Sequence, residues 1–193
     1  MSTARSMALA AGLLSLGVAR PAAAQARQPW SIQGSGLYTA QDLGPPAGTV
    51  GGAGVEAQLR RTFARWSVGG GIQYSTHSSG PDDLKLTGFF LEPRVVLDVG
   101  SGSIVPYLAA RLAYLHGSLT AGAVNGEGSS GGTAFGAGAG IIYGLTHRVN
   151  LDFGGALLRQ TLGDITLDDP NRFVVRFPSF FGYVLKGGVS IGL

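Results

Sequence analysis

Six ionisable side chains carry the chemistry that first draws notice: Glu56, Arg60, Glu92, Arg94, Arg111 and Lys186. Each stands near the middle of an apolar, alternating segment, where a full charge is costly. An unpaired charge in a narrow, low-dielectric interior costs several kcal/mol, so these groups are expected to pair with one another. Such a set can do one of two things. It can close a passage as a satisfied ion-pair network, or it can gate a passage for ions or small solutes. Four cations against two carboxylates would lean an open passage toward anions.

Two smaller constellations stand beside it. His116-Gly117-Ser118 places an imidazole and a hydroxyl two residues apart, on one face of a strand, as a base activating a nucleophile requires. His77 and Ser79 repeat that spacing beside Asp82, while the acid nearest in sequence to His116 is Glu127, within a Gly-rich stretch. Histidines close to loops are more often inert than catalytic, and no catalytic residue is assigned. Further along, Arg172, Phe173, Arg176, Phe177 and Phe180 follow the turn signal Asp168-Asp169-Pro170-Asn171. They are expected to form an exposed apolar and cationic cluster, suited to a contact or to covering what lies beneath. Asp164, Asp168 and Asp169 lack calcium-loop spacing, and cysteine is absent, so no metal site or cofactor is expected.

The elements that must position these groups are strands. Between Leu86 and Leu119 two arms flank Gly100-Ser101-Gly102-Ser103. In the first arm Phe89, Leu91, Pro93, Val95, Leu97 and Val99 alternate with positions that include Glu92, Arg94 and Asp98. A period of two sustained this long is a strand signal. The same period predicts eight strands, at about Trp30–Ala40, Gly52–Phe63, Trp66–Thr76, Lys85–Val99, Ile104–Leu119, Thr133–Leu145, Val149–Thr161 and Phe181–Leu193. Their connections alternate. Ala64-Arg65, Gly100–Ser103 and Thr146–Arg148 are short, whereas Gln41–Gly51, His77–Leu84, Thr120–Gly132 and Leu162–Phe180 are long and polar. Short turns on one side and long loops on the other belong to an up-and-down antiparallel meander.

Facing decides between water and lipid. With each strand phased by its polar groups, Gln33, Glu56, Gln58, Arg60, Gln73, Glu92, Arg94, Arg111, Asn150, Asp152 and Lys186 point inward. Trp30, Tyr38, Phe63, Trp66, Tyr74, Phe89, Tyr114, Phe135, Tyr143, Phe153, Phe181 and Tyr183 point outward, and only Phe90 and Tyr107 among strand aromatics point in. A water-soluble barrel would bury its aromatics and expose its charges. The outward aromatics also fall near the two strand ends, as interfacial girdles do. Arg61 and Arg159 lie outward near strand ends, where long side chains snorkel. Gly69, Gly71, Gly136, Gly138 and Gly140 fall on inward faces, where a missing Cβ makes room for long charged neighbours. The alternating glycines are not a phosphate loop, since neither a helix nor Lys-Ser/Thr follows. The fold expected is all-β: an eight-stranded antiparallel up-and-down transmembrane β-barrel, preceded by a cleavable signal peptide.

The bulk numbers agree. The 193 residues suit one domain, and charged residues make up 13% against 45% hydrophobic, yet no apolar run reaches the roughly 18 residues of a spanning helix. Residues 1–26 read as a signal peptide: Arg5, an apolar core from Met7 to Val18, and cleavage after Ala24 or Ala26. The barrel is then residues 27–193. Cleavage removes Arg5 and Arg20, which takes the net charge from +3 to 12 − 11 = +1 and withdraws the support for nucleic-acid binding.

These features resemble the small eight-stranded outer-membrane β-barrel proteins of the OmpA-, OmpX- and OmpW-like group. The likeness covers nearly all of the exported chain, through the signal, the eight alternating segments and the final strand Tyr183–Leu193. It implies a bacterial outer-membrane location, contact with membrane lipid and lipopolysaccharide, and insertion by the barrel-assembly machinery. It also implies a structural or cell-surface interaction role with a lumenal ion-pair plug, and a narrow gated pore as the alternative. Members usually end on an aromatic that aids assembly, where this chain has Leu193. Some barrels of this size are lipid A deacylases with a His-x-Ser pair on the outer face. His116 and Ser118 match that pair, but Leu119 stands where that group usually has Asn. No extracellular partner is indicated.

Overall fold

The computed structural model describes residues 29–42, 48–97, 103–122, 126–168, 174–176 and 179–193. Among the described residues ten strands run in chain order: β1 (Trp30–Asp42), β2 (Thr49–Phe63), β3 (Trp66–Ser79), β4 (Asp82–Val96), β5 (Ile104–Ala121), β6 (Gly126–Gly144), β7 (Val149–Leu162), β8 (Ile165–Thr166), β9 (Val174–Val175) and β10 (Phe180–Gly192). Eight of them close a barrel in the order β1-β10-β7-β6-β5-β4-β3-β2, every pair antiparallel. Closure between β1 and β10, from Ser31↔Gly192 to Asp42↔Phe181, leaves the barrel no free edge. A closed barrel is one of the two structures that satisfy the whole backbone within hydrocarbon.

Alternation sets the faces. All twelve aromatics expected outside are on the outer wall, with Phe89 the most exposed of them at 68%. Phe90 and Tyr107 are buried inside, together with Glu56, Arg60, Glu92, Arg94 and Arg111. A wall apolar outside and charged inside has the polarity of a membrane-spanning barrel. Trp30, Phe63, Trp66 and Tyr143 ring the short-turn end. Tyr38, Tyr74, Phe89, Tyr114, Phe135, Phe181 and Tyr183 lie toward the other. At the lower ring the Arg61 guanidinium lies over the Trp30 and Phe63 rings, 5.3 and 4.8 Å from their centroids.

The strands outrun the expected segments at the long-loop end. β5 has 18 residues and β6 has 19, whereas about ten suffice to cross a bilayer. The stretch His77–Leu84, expected as a long loop, is mostly ladder: Ser79 pairs with Asp82, and Gly80-Pro81 makes the turn with Gly80 at φ 61°. Likewise β6 begins at Gly126 rather than Thr133. Above the membrane an antiparallel ribbon meets water, so a polar, Gly-rich composition does not end it. At the opposite end β4 stops at Val96, and Val99 lies outside the described residues. Between β7 and β10 the chain forms a separate two-stranded ribbon, β8 and β9, paired Ile165↔Val175 and Thr166↔Val174.

Candidate functional site

Four strands supply the six charged residues named from the sequence. β2 contributes Glu56 and Arg60, β4 Glu92 and Arg94, β5 Arg111, and β10 Lys186. Glu92 is the hub. Its Oε1 accepts from Arg60 Nη2 at 3.1 Å, from Arg94 Nε at 2.9 Å and from Lys186 Nζ at 2.8 Å. Its Oε2 accepts from Arg111 Nη1 at 2.9 Å and from Lys186 Nζ at 2.8 Å. Glu56 takes the other arm of Arg111, with Nη2 donating at 2.7 Å, and lies 3.5 Å from Lys186 Nζ. All six residues named from the sequence are thus in one connected cluster.

Neutral groups complete it. Gln58 Oε1 accepts from Arg60 at 2.8 Å, Ser67 Oγ accepts from Arg60 at 3.1 Å, and Gln73 Oε1 accepts from Arg111 at 2.7 Å. Arg94 lies 4.1 Å from the Tyr107 ring centroid and Arg111 3.8 Å from that of Phe90. A guanidinium over a ring face is attracted by the negative face of the π-system.

The sequence reading left two members out. Asp152 on β7 accepts a short ion-paired contact from Arg94 Nη1, and the Tyr107 hydroxyl donates to its other oxygen at 2.8 Å. Asp152 corrects the charge ratio: three carboxylates, not two, face the four cations, which weakens the case for anion preference. Its inward alternation was legible. Its height was not, because the stagger between strands determines which residues share a level.

The inward glycines serve more than one end. A Cβ at Gly69 would strike Gln58 and Arg60, as expected of a residue that makes room for a charged neighbour. A Cβ at Gly136 or Gly138 would instead strike the β7 backbone, so there the absent side chain permits close approach of two strands. At Gly140 it would meet both the β7 backbone and the Tyr107 ring.

Above the charges the lumen turns apolar. Leu84, Leu86, Leu115, Ala134, Leu162 and Phe180 form one buried cluster, and Ala121, Ile165 and Leu167 form another above it. Phe180, expected among the exposed loop aromatics, is 4% exposed and faces the lumen, because its neighbour Phe181 takes the outer face. Ile165 is 0% exposed. The segment carrying it docks on β6, with Gly163 N donating to Gly131 O at 2.9 Å and Asp168 N to Glu127 O at 2.8 Å. Arg176 is exposed, 3.6 Å from Asp164. Arg172, Phe173 and Phe177, the rest of the expected contact cluster, lie outside the described residues.

His116 and Ser118 lie on the outer wall of β5, His116 exposed and Ser118 half-buried. Among the described residues no hydrogen bond joins them to each other or to a carboxylate, and Glu127 pairs with Thr120 on the ladder. His77 faces the lumen, its Nε2 2.8 Å from Thr39 Oγ1, while Ser79 is exposed at the hairpin end. Among the described residues no group of His, Asp and Glu could hold a metal ion.

No protein-family model matches the chain, and no curated protein matches it in sequence. Solved structures do match in fold. The chain is similar to Neisserial surface protein A, at 18% identity and a TM-score of 0.67, over 86% of this chain and 97% of that one. It is also similar to Ail, the attachment invasion locus protein of Yersinia pestis, at 14% identity and a TM-score of 0.51, over 84% and 97%. The fold is that of the small eight-stranded outer-membrane β-barrels.

Proposed function

We propose that this protein is a bacterial outer-membrane barrel that does not conduct, and that serves as a rigid scaffold presenting its long-loop end at the cell surface. Residues 1–26 are its export signal, removed after Ala24 or Ala26, and barrel-assembly machinery inserts the remainder. The supporting observation is a pair of buried layers in series along the lumen. Glu92 gathers four cations from four directions, and the Leu84–Phe180 apolar cluster lies above it. Charges held this way are costly to pull apart one at a time, and a packed apolar layer opposes the passage of an ion. Fold likeness to surface proteins such as Ail is compatible with a contact role at the exposed end.

Planar-bilayer recording tests the closed reading. Purified, folded protein should give no steady unitary current across the physiological range of voltage. A reproducible wild-type conductance would replace this reading with the narrow gated pore. Lipid A hydrolysis by His116 and Ser118 has a separate test, the mass spectrum of lipid A with and without the protein. Loss of an acyl chain would reinstate it.

A further inference from the structure

Below the ion-pair cluster the two sides of the lumen differ. On the β4–β6 side Val96, Val105, Tyr107 and Ile142 pack into an apolar wedge. On the side of β1, β2, β7 and β10 a polar cleft of about 20 Å³ opens at the short-turn end. Arg60 and Asp152 lie at its inner end, and His147 and Arg148 of the β6–β7 turn form its rim. Both rim residues are exposed, whereas Arg60 is 1% and Asn150 8% exposed.

Charge balance singles out Arg60. Among the described residues the four cations of the cluster face three carboxylates, Glu56, Glu92 and Asp152, which leaves one buried positive charge without a counter-charge. Arg94 pairs with both Asp152 and Glu92, and Arg111 and Lys186 each pair with both Glu56 and Glu92. Arg60 has Glu92 alone, through an oxygen that Arg94 and Lys186 share. Its two Nη groups are turned toward Gln58, Ser67 and Glu92. Its Nε is buried without a hydrogen-bond partner, as is Oδ1 of Asn150 on the same cleft. A buried donor on a charged group is costly to leave without an acceptor.

We propose that this cleft binds one small monovalent anion, a halide or the head of a carboxylate, taken from the periplasm. The anion accepts from Arg60 Nε and supplies the missing negative charge, so that the buried cluster is neutral as a whole. Ser31, Thr62 and Ser190 bring hydroxyl donors to the same space. The Asn150 amide, turned over, presents its two N–H donors in place of an unsatisfied oxygen. Arg148 at the rim attracts anions toward the opening. A cleft of this volume holds about one or two water-sized groups, too few for a whole metabolite. One excess charge also does not balance a divalent oxyanion such as sulfate. The periplasmic source rests on the reading of this chain as an outer-membrane barrel with short turns in the periplasm; the site itself requires only the folded barrel.

The line width of the chloride NMR signal tests this, read at constant ionic strength on the barrel folded in a non-ionic detergent, with sodium acetate and sodium sulfate as competitors. Wild type should broaden the line saturably, and Lys85→Gln, a control on the outer wall, should broaden it equally. Arg60→Gln removes both the donor and the excess charge, and should abolish the broadening. Asn150→Leu, which replaces the amide with an apolar side chain, should abolish it too, and carries the test where Arg60→Gln does not fold. Arg148→Gln should raise the half-saturating chloride concentration about two- to fivefold, the effect of one exposed ionic interaction. Displacement by acetate assigns the site to carboxylates as well as halides; chloride that acetate leaves in place assigns it to halides. Broadening unchanged in Arg60→Gln and Asn150→Leu, or removed by sulfate as readily as by acetate, would overturn the site. Heat-dependent gel mobility is read on each sample. A wild type that lacks it and stays soluble without detergent overturns the membrane barrel itself, whereas a folded wild type that leaves the chloride line unbroadened overturns the anion site alone.

Discussion

Lys186 places its Nζ 2.8 Å from each carboxylate oxygen of Glu92, and the two residues come from strands diametrically opposite in the barrel. Four strand-to-strand steps separate β10 from β4 in either direction. The ion pair therefore spans the lumen and ties its walls together, while Arg60, Arg94 and Arg111 converge on the same carboxylate from β2, β4 and β5.

Replacing Glu92 should consequently cost more than replacing any one of its partners. Glu92→Gln keeps the shape and leaves four cations facing a neutral amide in a buried site. Removing one partner of a buried pair typically costs about 3–5 kcal/mol. Lys186→Met should cost less, since three guanidinium groups still neutralise Glu92. Urea or guanidinium unfolding in lipid vesicles checks the order. A Glu92→Gln midpoint at or above that of Lys186→Met would contradict the hub assignment.

Two buried layers in series make a second, non-additive prediction. Glu92→Ala alone should remain silent in planar bilayers, because the Leu86–Leu115 layer above it is intact. Leu86→Ala with Leu115→Ala should also remain silent, because the ion pairs below are intact. The triple variant should conduct, provided it still shows the compact form on an unheated gel. Current from Glu92→Ala alone would mean that the apolar layer does not seal.

Much of this was legible in the chain, and the limit has a physical cause. Alternation gives each residue a face, so Phe89 outside and Glu92 inside follow directly from their positions. Alternation gives no height relative to another strand. Asp152 reads as inward, yet only the stagger between β7 and β4 brings it to Arg94. Leu86 and Leu115 likewise share the inward phase of Glu92 and Arg111. An inward leucine looks ordinary until the register stacks it with Leu84, Leu162 and Phe180 into a stopper. The long-loop end was the least legible, because ribbon above a membrane needs neither apolar face.

Tyr107 and the glycines around it couple in a way a double-mutant cycle can read. A Cβ at Gly154 would collide with the Tyr107 hydroxyl, and would sit 3.2 Å from the Ala139 carbonyl oxygen, a much milder contact. Gly154→Ala should therefore destabilise the wild type. In a Tyr107→Phe background, where the hydroxyl is gone, most of that cost should vanish. Tyr107→Phe itself should cost about 1–3 kcal/mol, because Asp152 loses a buried donor. Gly140→Ala should not be relieved, since its Cβ would also strike the carbonyl of Phe153. Additive costs for Gly154→Ala and Tyr107→Phe would show that the hydroxyl is not the obstacle.

His77 supplies the pH dependence. It lies three residues beyond Tyr74, in the ribbon above the upper girdle, and its side chain is turned inward, with Thr39 Oγ1 2.8 Å from Nε2. Burial pushes its pKa below the ordinary imidazole value. A histidine held neutral in the fold binds fewer protons than it does in the unfolded chain. Its contribution is therefore complete above the unfolded pKa, about 6.5, and is lost as the pH falls from there through the lower folded value. Stability measured in vesicles should drop between neutral and mildly acidic pH, and His77→Gln should flatten the drop while keeping a polar partner for Thr39. An unchanged slope in His77→Gln would assign the acid sensitivity to other groups.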